Sequence, residues 1–428
     1  MTKFDVIVIG AGTSGLMAAI AAAEHGSRVL LLEKNKRIGK KLLLTGGGRC
    51  NVTNNRSPEE IIAHIPGNGK FLYSAFSQYN NQDIIHFFES NGTALKEEDH
   101  GRMFPTTDRS QTIVETLHTK LKELAVTLYT EAPVKKILRK DNQIIGVALE
   151  NQKIYAPCVI LATGGKTYPS TGSTGDGYRF SEALGHSISP LYPTESPIRS
   201  EEPFIKKKTL QGISLRDVQL SVLNKKGKAI VSHQMDLLFT HFGISGPAAL
   251  RCSSFVNQAL SKNPGQAVQL SLDIFPETTE KQLIIDVTRR IQAEPEKQLK
   301  NTLRQFLPER LLEFLLEKNE LGEQKGRQLS EQQLEMFIKS MKDFRITASG
   351  TFPLEKSFVT GGGISLKEIQ PKTMESKLVQ GLFFCGEVID INGYTGGYNI
   401  TAALVTGHNA GQHAAEMADY MSYVIDEY

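Results

Sequence analysis

The run Val8-Ile9-Gly10-Ala11-Gly12-Thr13-Ser14-Gly15 fits G-x-G-x-x-G, the spacing of a loop that turns from a strand into a helix around a pyrophosphate. Gly10 permits the tight turn, Gly12 leaves no side chain where phosphate must approach backbone, and Gly15 lets the helix pack on the sheet. Thr13 and Ser14 open the helix, so its N-terminus is expected to face the phosphates. Glu33 ends the next apolar run, 18 residues after Gly15. A carboxylate there can accept hydrogen bonds from a ribose diol and would repel a 2′-phosphate. The fingerprint alone leaves NAD and FAD open. Three further segments do not fit a stand-alone NAD domain: Thr45-Gly46-Gly47-Gly48-Arg49-Cys50-Asn51, Thr163-Gly164-Gly165, and Cys385-Gly386-Glu387 followed by Asp390. A long cofactor running past several strand ends accounts for them, which points to FAD.

Several neighbouring residues join this candidate cofactor set. Arg37, Lys40 and Lys41 follow the second strand and could screen the pyrophosphate or line the rim of its groove, and Lys34 just before them joins the cofactor set. Gly46, Gly47 and Gly48 would let backbone approach a ring system closely, which would place Arg49 and Cys50 near the isoalloxazine. For Cys50 a small buried thiol is the expected role, since no partner cysteine is near in sequence. Gly396 and Gly397 precede a helix of small residues that begins near Asn399 and Ile400. Its positive end would favour negative charge on a reduced ring. Catalytic candidates are weaker. His241 lies in Thr240-His241-Phe242-Gly243-Ile244-Ser245-Gly246-Pro247, where Pro247 suits a first helical position. Tyr168 and Tyr394 lie in glycine-rich loops and are candidate acids or ring-packing residues.

These residues must be positioned by an α/β scaffold. Residues 4–9 read as a buried strand, 14–25 as an Ala-rich helix and 28–32 as a second buried strand, a βαβ beginning. Short strands at 134–139, 143–150 and 153–156, joined by turns at Asp141-Asn142 and Asn151-Gln152, predict a meander. Residues 159–161 form another buried strand. Four prolines between 190 and 203 mark a shift to alternating strands at 218–222 and 268–274. Helical spacing governs Leu283, Ile284, Val287 and Ile291, then Leu299, Leu303, Phe306 and Leu307, and Ser330 with Gln333 forms a capping box. A strand at 381–385 and a small-residue helix at 399–415 return to the character of the first elements. The expected division is an FAD-binding domain in two parts, 1–190 and 343–428, with a β-rich insert at 191–275 and a helical insert at 276–342. The whole has 428 residues, 40% hydrophobic and 22% charged, with a formal charge of +3, a folded chain whose charge balance is too small to argue for nucleic acid or membrane. Its four cysteines form no C-x-x-C pair, so neither disulfides nor a metal site is expected. With no export signal or membrane span in view, a cytoplasmic location is expected.

The long motifs Lys40-Lys41-Leu42-Leu43-Leu44-Thr45-Gly46-Gly47-Gly48-Arg49-Cys50-Asn51-Val52-Thr53-Asn54, Thr240 to Pro247, and Gly393-Tyr394-Thr395-Gly396-Gly397-Tyr398-Asn399 carry a family likeness. Over nearly its whole length the chain resembles the two-dinucleotide-fold flavoproteins. More narrowly, it resembles the BaiN-like family of NAD(FAD)-utilizing dehydrogenases and aminoacetone-oxidase-like FAD enzymes. The resemblance implies a three-layer FAD/NAD(P)-binding Rossmann-like core with a β-barrel-like insert and a small helical one. It also puts the backbone of Val134 against the adenine and Asp390 on the ribitol or phosphates. The expected activity is an FAD-dependent oxidoreductase: noncovalent FAD accepts hydride from transiently bound NADH or NADPH and passes it to a small organic acceptor, such as a conjugated carbon–carbon double bond. The alternatives are a tRNA-modifying RNA-binding flavoprotein and an FAD-dependent amine oxidase. Lysines at 135–136, 206–208, 225, 226 and 228 would serve the RNA alternative. Without a recognisable RNA-binding module they read as solvated turns, so no nucleic-acid partner is expected.

Overall fold

Four consecutive apolar residues with no polar alternation need cover on both faces, which a parallel sheet between layers provides. In the computed structural model, which describes residues 4–262 and 265–426, β1 (Val6–Ile9) and β2 (Val29–Leu32) are buried at every position. They lie side by side in a five-stranded parallel sheet of order Leu382–Phe384, Cys158–Leu161, β1, β2, Thr127–Tyr129. Helix α1 (Thr13–Glu24) connects β1 to β2 and buries Ser14 through Ala22. A C-terminal helix, Tyr398–Asp426, packs against α1. Their closeness is set by small residues: a Cβ on Gly407 would stand 2.3 Å from the Ser14 carbonyl oxygen, and one on Gly411 would stand 2.2 Å from that of Ala18. The meander forms as an antiparallel sheet of Lys136–Lys140, Gln143–Ala148 and Lys153–Tyr155.

The chain divides into two compact units, one from Met1–Tyr192 with Leu354–Tyr428 and the other from Pro193–Pro353. In the second unit six strands close a barrel in the order Ile198–Ser200, Gly243–Ser245, Ala229–Phe239, Ser214–Leu223, Val268–Asp273, Phe344–Thr351. Closure removes the exposed edges that an open antiparallel sheet would keep. The helices Glu280–Ala293, Leu299–Thr302, Glu309–Lys318 and Glu331–Lys342 do not form a core of their own: their apolar faces join the barrel residues in one buried cluster. Phe314 from these helices meets Phe204 at 5.3 Å and Phe344 at 6.0 Å between ring centroids. The division expected at 275 and 342 is therefore corrected in two respects. The helices share the barrel's core, and residues 344–351, expected in the returning cofactor domain, supply the strand that pairs with Val268–Asp273 and Ile198–Ser200. The capping box at Ser330 and Gln333 forms as its spacing requires.

Candidate cofactor site

The site is built where parallel strands end. Beyond β1 the chain turns at Gly10, whose φ of +103° no other residue adopts readily, and enters α1 at Gly12. The three fingerprint glycines have different reasons to be glycine. A Cβ on Gly10 would lie 2.6 Å from the Ala162 carbonyl oxygen, and one on Gly15 would lie 1.8 Å from that of Gly10. Gly12 has an ordinary φ of −85°, and a Cβ there would meet nothing within 4 Å. Nothing in the protein itself demands glycine at position 12. The start of α1 has neither a side-chain cap nor an acidic residue in its first turn, so its N–H groups keep their positive character. Glu33, buried just beyond β2, accepts from the Ala11 N–H at 2.9 Å, the Asn35 N–H at 2.8 Å and Asn35 Nδ2 at 2.7 Å. The carboxylate is thus fixed against the glycine loop. The Ala132 N–H bonds to the Glu33 carbonyl at 3.0 Å, which brings the chain leading to Val134 alongside.

The other glycine-rich segments converge on the same unit. Lys41 Nζ forms an ion pair with Glu387 Oε2 at 2.7 Å and donates to Thr167 Oγ1 at 2.7 Å, so two residues 346 positions apart meet. Burial pushes the Glu387 carboxyl up, but Lys41 and the Thr360 N–H, 2.8 Å away, outweigh it and hold it below its ordinary value. Thr360 and its glycines 361–363 were missed in the sequence, although Thr-Gly-Gly also occurs at 45, 163 and 395. Asn35 was missed as well; only its place two residues after Glu33 signals it. Gly397, with φ +93°, has room for no side chain, since a Cβ would lie 2.7 Å from the Thr53 carbonyl oxygen. Beside it Asn51 Oδ1 is buried without a hydrogen-bond partner, as is Thr163 Oγ1. Buried polar atoms are normally satisfied. A polar ligand lying along these loops would supply the missing partners.

Some candidates are engaged elsewhere. Arg49 is held by Glu98 and Asp108 and stacks over Phe104 at 4.3 Å, so its guanidinium is engaged within the protein. Cys50 is fully buried, and burial pushes its thiol up to about 12, so it is no thiolate at neutral pH. Lys34 pairs with Asp176 at 2.6 Å, while Arg37 is exposed. Thr45 Oγ1 donates to the Leu42 carbonyl at 2.6 Å, and Gly46, Gly47, Gly48 and Gly164 all take positive φ. Gly165 is packed so that a Cβ would touch Thr360 Oγ1 at 2.2 Å, and a Cβ on Gly386 would stand 2.3 Å from Ser14 Oγ. Asp390 is raised by burial despite bonds from Ser189 and Asn68. Asn399 turns back onto its own loop, accepting from the Gly393 N–H and donating to the Gly393 carbonyl, both at 2.7 Å. Ile400 is half-buried in the first turn of the C-terminal helix. Tyr394 is buried with its ring edge-on to His64, and Tyr168 is half-buried at φ +51° beside Phe358. His241 is exposed in the second unit and its ring meets Phe242. Among the described residues no group of three or more His, Cys, Asp or Glu could hold a metal, and no helix is long and apolar enough to cross a membrane.

The family model described as HI0933-like protein Rossmann domain matches residues 4–413. A ribosomal RNA dihydrouridine synthase of Escherichia coli is 32% identical over 93% of this chain and 95% of its own length. A 3-dehydro-bile acid delta(4,6)-reductase of Clostridium scindens is 30% identical over 96% and 98%. Among solved structures, a 3-ketosteroid-delta4-(5alpha)-dehydrogenase from Rhodococcus jostii aligns over 96% of both chains with a TM-score of 0.53 at 16% identity, a likeness of fold.

Proposed function

We propose, for a chain that belongs to the HI0933-like Rossmann family and is a flavoprotein oxidoreductase, that it reduces a carbon–carbon double bond conjugated to a carbonyl, drawing electrons from NADH or NADPH. The observation that carries the reading is the open Gly12 set beside the anchored carboxylate of Glu33 on one glycine loop. This loop would hold FAD, with the N–H groups of Thr13 and Ser14 on the pyrophosphate, Glu33 on the adenosine ribose and the Val134 backbone at the adenine. Asn51, Thr163 and Gly397 would line the flavin end. When bound, FAD supplies hydride transfer between the nicotinamide nucleotide and the acceptor.

The chain's own part is positional and electrostatic. The start of the C-terminal helix at Tyr398 favours negative charge on whatever adjoins Gly397. The Lys41–Glu387 pair ties the loop after β2 to the segment after Leu382–Phe384 and so keeps the two ends of the cradle in register. Tyr168 and Tyr394, on the glycine-rich loops, are the candidates that would protonate the α-carbon of the acceptor. A second reading keeps the chemistry and takes a uracil ring of RNA as acceptor. The full-length relative named for ribosomal RNA supports it, against the expectation of no nucleic-acid partner.

Anaerobic mixing of the FAD-loaded protein with NADH or NADPH is expected to bleach the flavin absorbance. A conjugated enone, or a uridine-containing RNA, should then restore it. Bleaching by an amine alone, with hydrogen peroxide released on reoxidation, would replace this reading with that of an amine oxidase.

A further inference from the structure

A groove of about 660 Å³ lies in the first unit, outside the cofactor loops. Its floor is apolar, with Ile62 and Ile65 almost fully buried, and its rim carries Lys70, Lys367 and Tyr73, the last 52% exposed. No aspartate or glutamate lines it. Among the described residues neither lysine has a carboxylate partner, in contrast to Lys135, paired with Glu150 at 2.6 Å, and Lys206, paired with Glu201 at 3.3 Å. The groove also adjoins the cofactor loops by bonding: Asn68 Nδ2 donates to the Asp390 carbonyl at 2.8 Å, and Gly67 bridges to Asn392.

We infer that this groove binds single-stranded RNA, with phosphates on Lys70 and Lys367 and a base stacked on Tyr73. The inference rests on the RNA reading of the acceptor. Unpaired cations beside an exposed aromatic ring on an apolar floor are the combination that tracks a polyanion with flat bases. A free dinucleotide is instead held in sites that enclose most of its surface, whereas Lys70, Lys367 and Tyr73 all stand exposed around this groove.

The test uses the FAD-loaded protein and a fluorescein-labelled oligouridylate of about twelve nucleotides, titrated by fluorescence anisotropy at several salt concentrations. Lys70→Glu combined with Lys367→Glu should weaken binding tenfold or more and lower the slope of log affinity against log salt by roughly 1.4. Tyr73→Ala should weaken binding about tenfold with the slope unchanged. Lys225→Glu with Lys226→Glu should change affinity less than twofold. An unaltered flavin spectrum certifies the fold of each variant. The inference is overturned if the wild-type protein does not bind the oligonucleotide, if the Lys70/Lys367 double variant binds as tightly as wild type, or if NADPH displaces the RNA competitively. Reduction of a small enone, measured on the same variants, keeps the two ideas apart. Failure of the groove leaves that reduction in place, whereas a protein that binds RNA but reduces neither acceptor overturns the reductase reading alone.

Discussion

At the scale of single residues, the three fingerprint glycines carry separable roles. Gly12→Ala is expected to leave the apo-protein as stable as wild type, because the new methyl meets no atom within 4 Å and φ is −85°. It should weaken FAD binding at least tenfold, since the methyl stands where phosphate would approach. Gly15→Ala should do the reverse of the first effect: its Cβ would sit 1.8 Å from the Gly10 carbonyl oxygen, and overpacking of this kind costs about 1–3 kcal/mol. Thermal unfolding of both apo-variants, followed by titration with FAD, separates these outcomes; equal destabilisation would reduce Gly12 to a packing residue. The fingerprint was legible because each glycine answers to a fixed spacing. Arg49 was not, because what holds it, Glu98 and Asp108, lies 49 and 59 residues away and no local pattern announces an ion network. The bond of the Asn399 side chain to Gly393, six residues back, was hidden for a similar reason: only the closed loop makes it possible.

At the scale of elements, alternation and capping were readable, as in β1–α1–β2, the meander and the Ser330 box, because they depend on neighbours in sequence. Barrel closure was not: alternation says that one face of Phe344–Thr351 is buried but not which strands flank it. The C-terminal helix carries a testable consequence of burial. His408 on that helix stacks on Tyr79 at 3.9 Å between centroids, 5° from parallel. Burial, helped by His25 and His413 and opposed by Asp83, pulls its pKa down to about 4 from an ordinary 6.5. The folded protein therefore holds this proton less tightly than the unfolded chain. The stabilising difference is complete above pH 6.5 and is lost as pH falls toward 4, by up to about 3 kcal/mol. His408→Phe keeps an aromatic stack and removes the proton. The urea midpoint of wild type should fall relative to that of His408→Phe between pH 7 and 4, and parallel curves would show that His408 does not titrate in this window.

At the scale of the whole molecule, the second unit has its own closed sheet and its own core, so residues 193–353 expressed alone should unfold in one cooperative transition. A fragment that melts without a sigmoidal transition would show that it depends on the other unit. The first unit has no such independence from chain length. Its sheet needs Leu382–Phe384 beside Cys158–Leu161, α1 is covered by a helix that starts at Tyr398, and the Ser14 hydroxyl donates to the Cys385 carbonyl at 3.4 Å, across 371 residues. During synthesis, then, the earliest strand and helix to leave the ribosome wait with an apolar flank uncovered while more than 350 further residues are translated. The barrel, complete once residue 351 has emerged, can fold during that wait. Acquisition of the prosthetic group becomes one of the last events in the life of the nascent chain, and a prematurely terminated product is left colourless and open to chaperones and proteases.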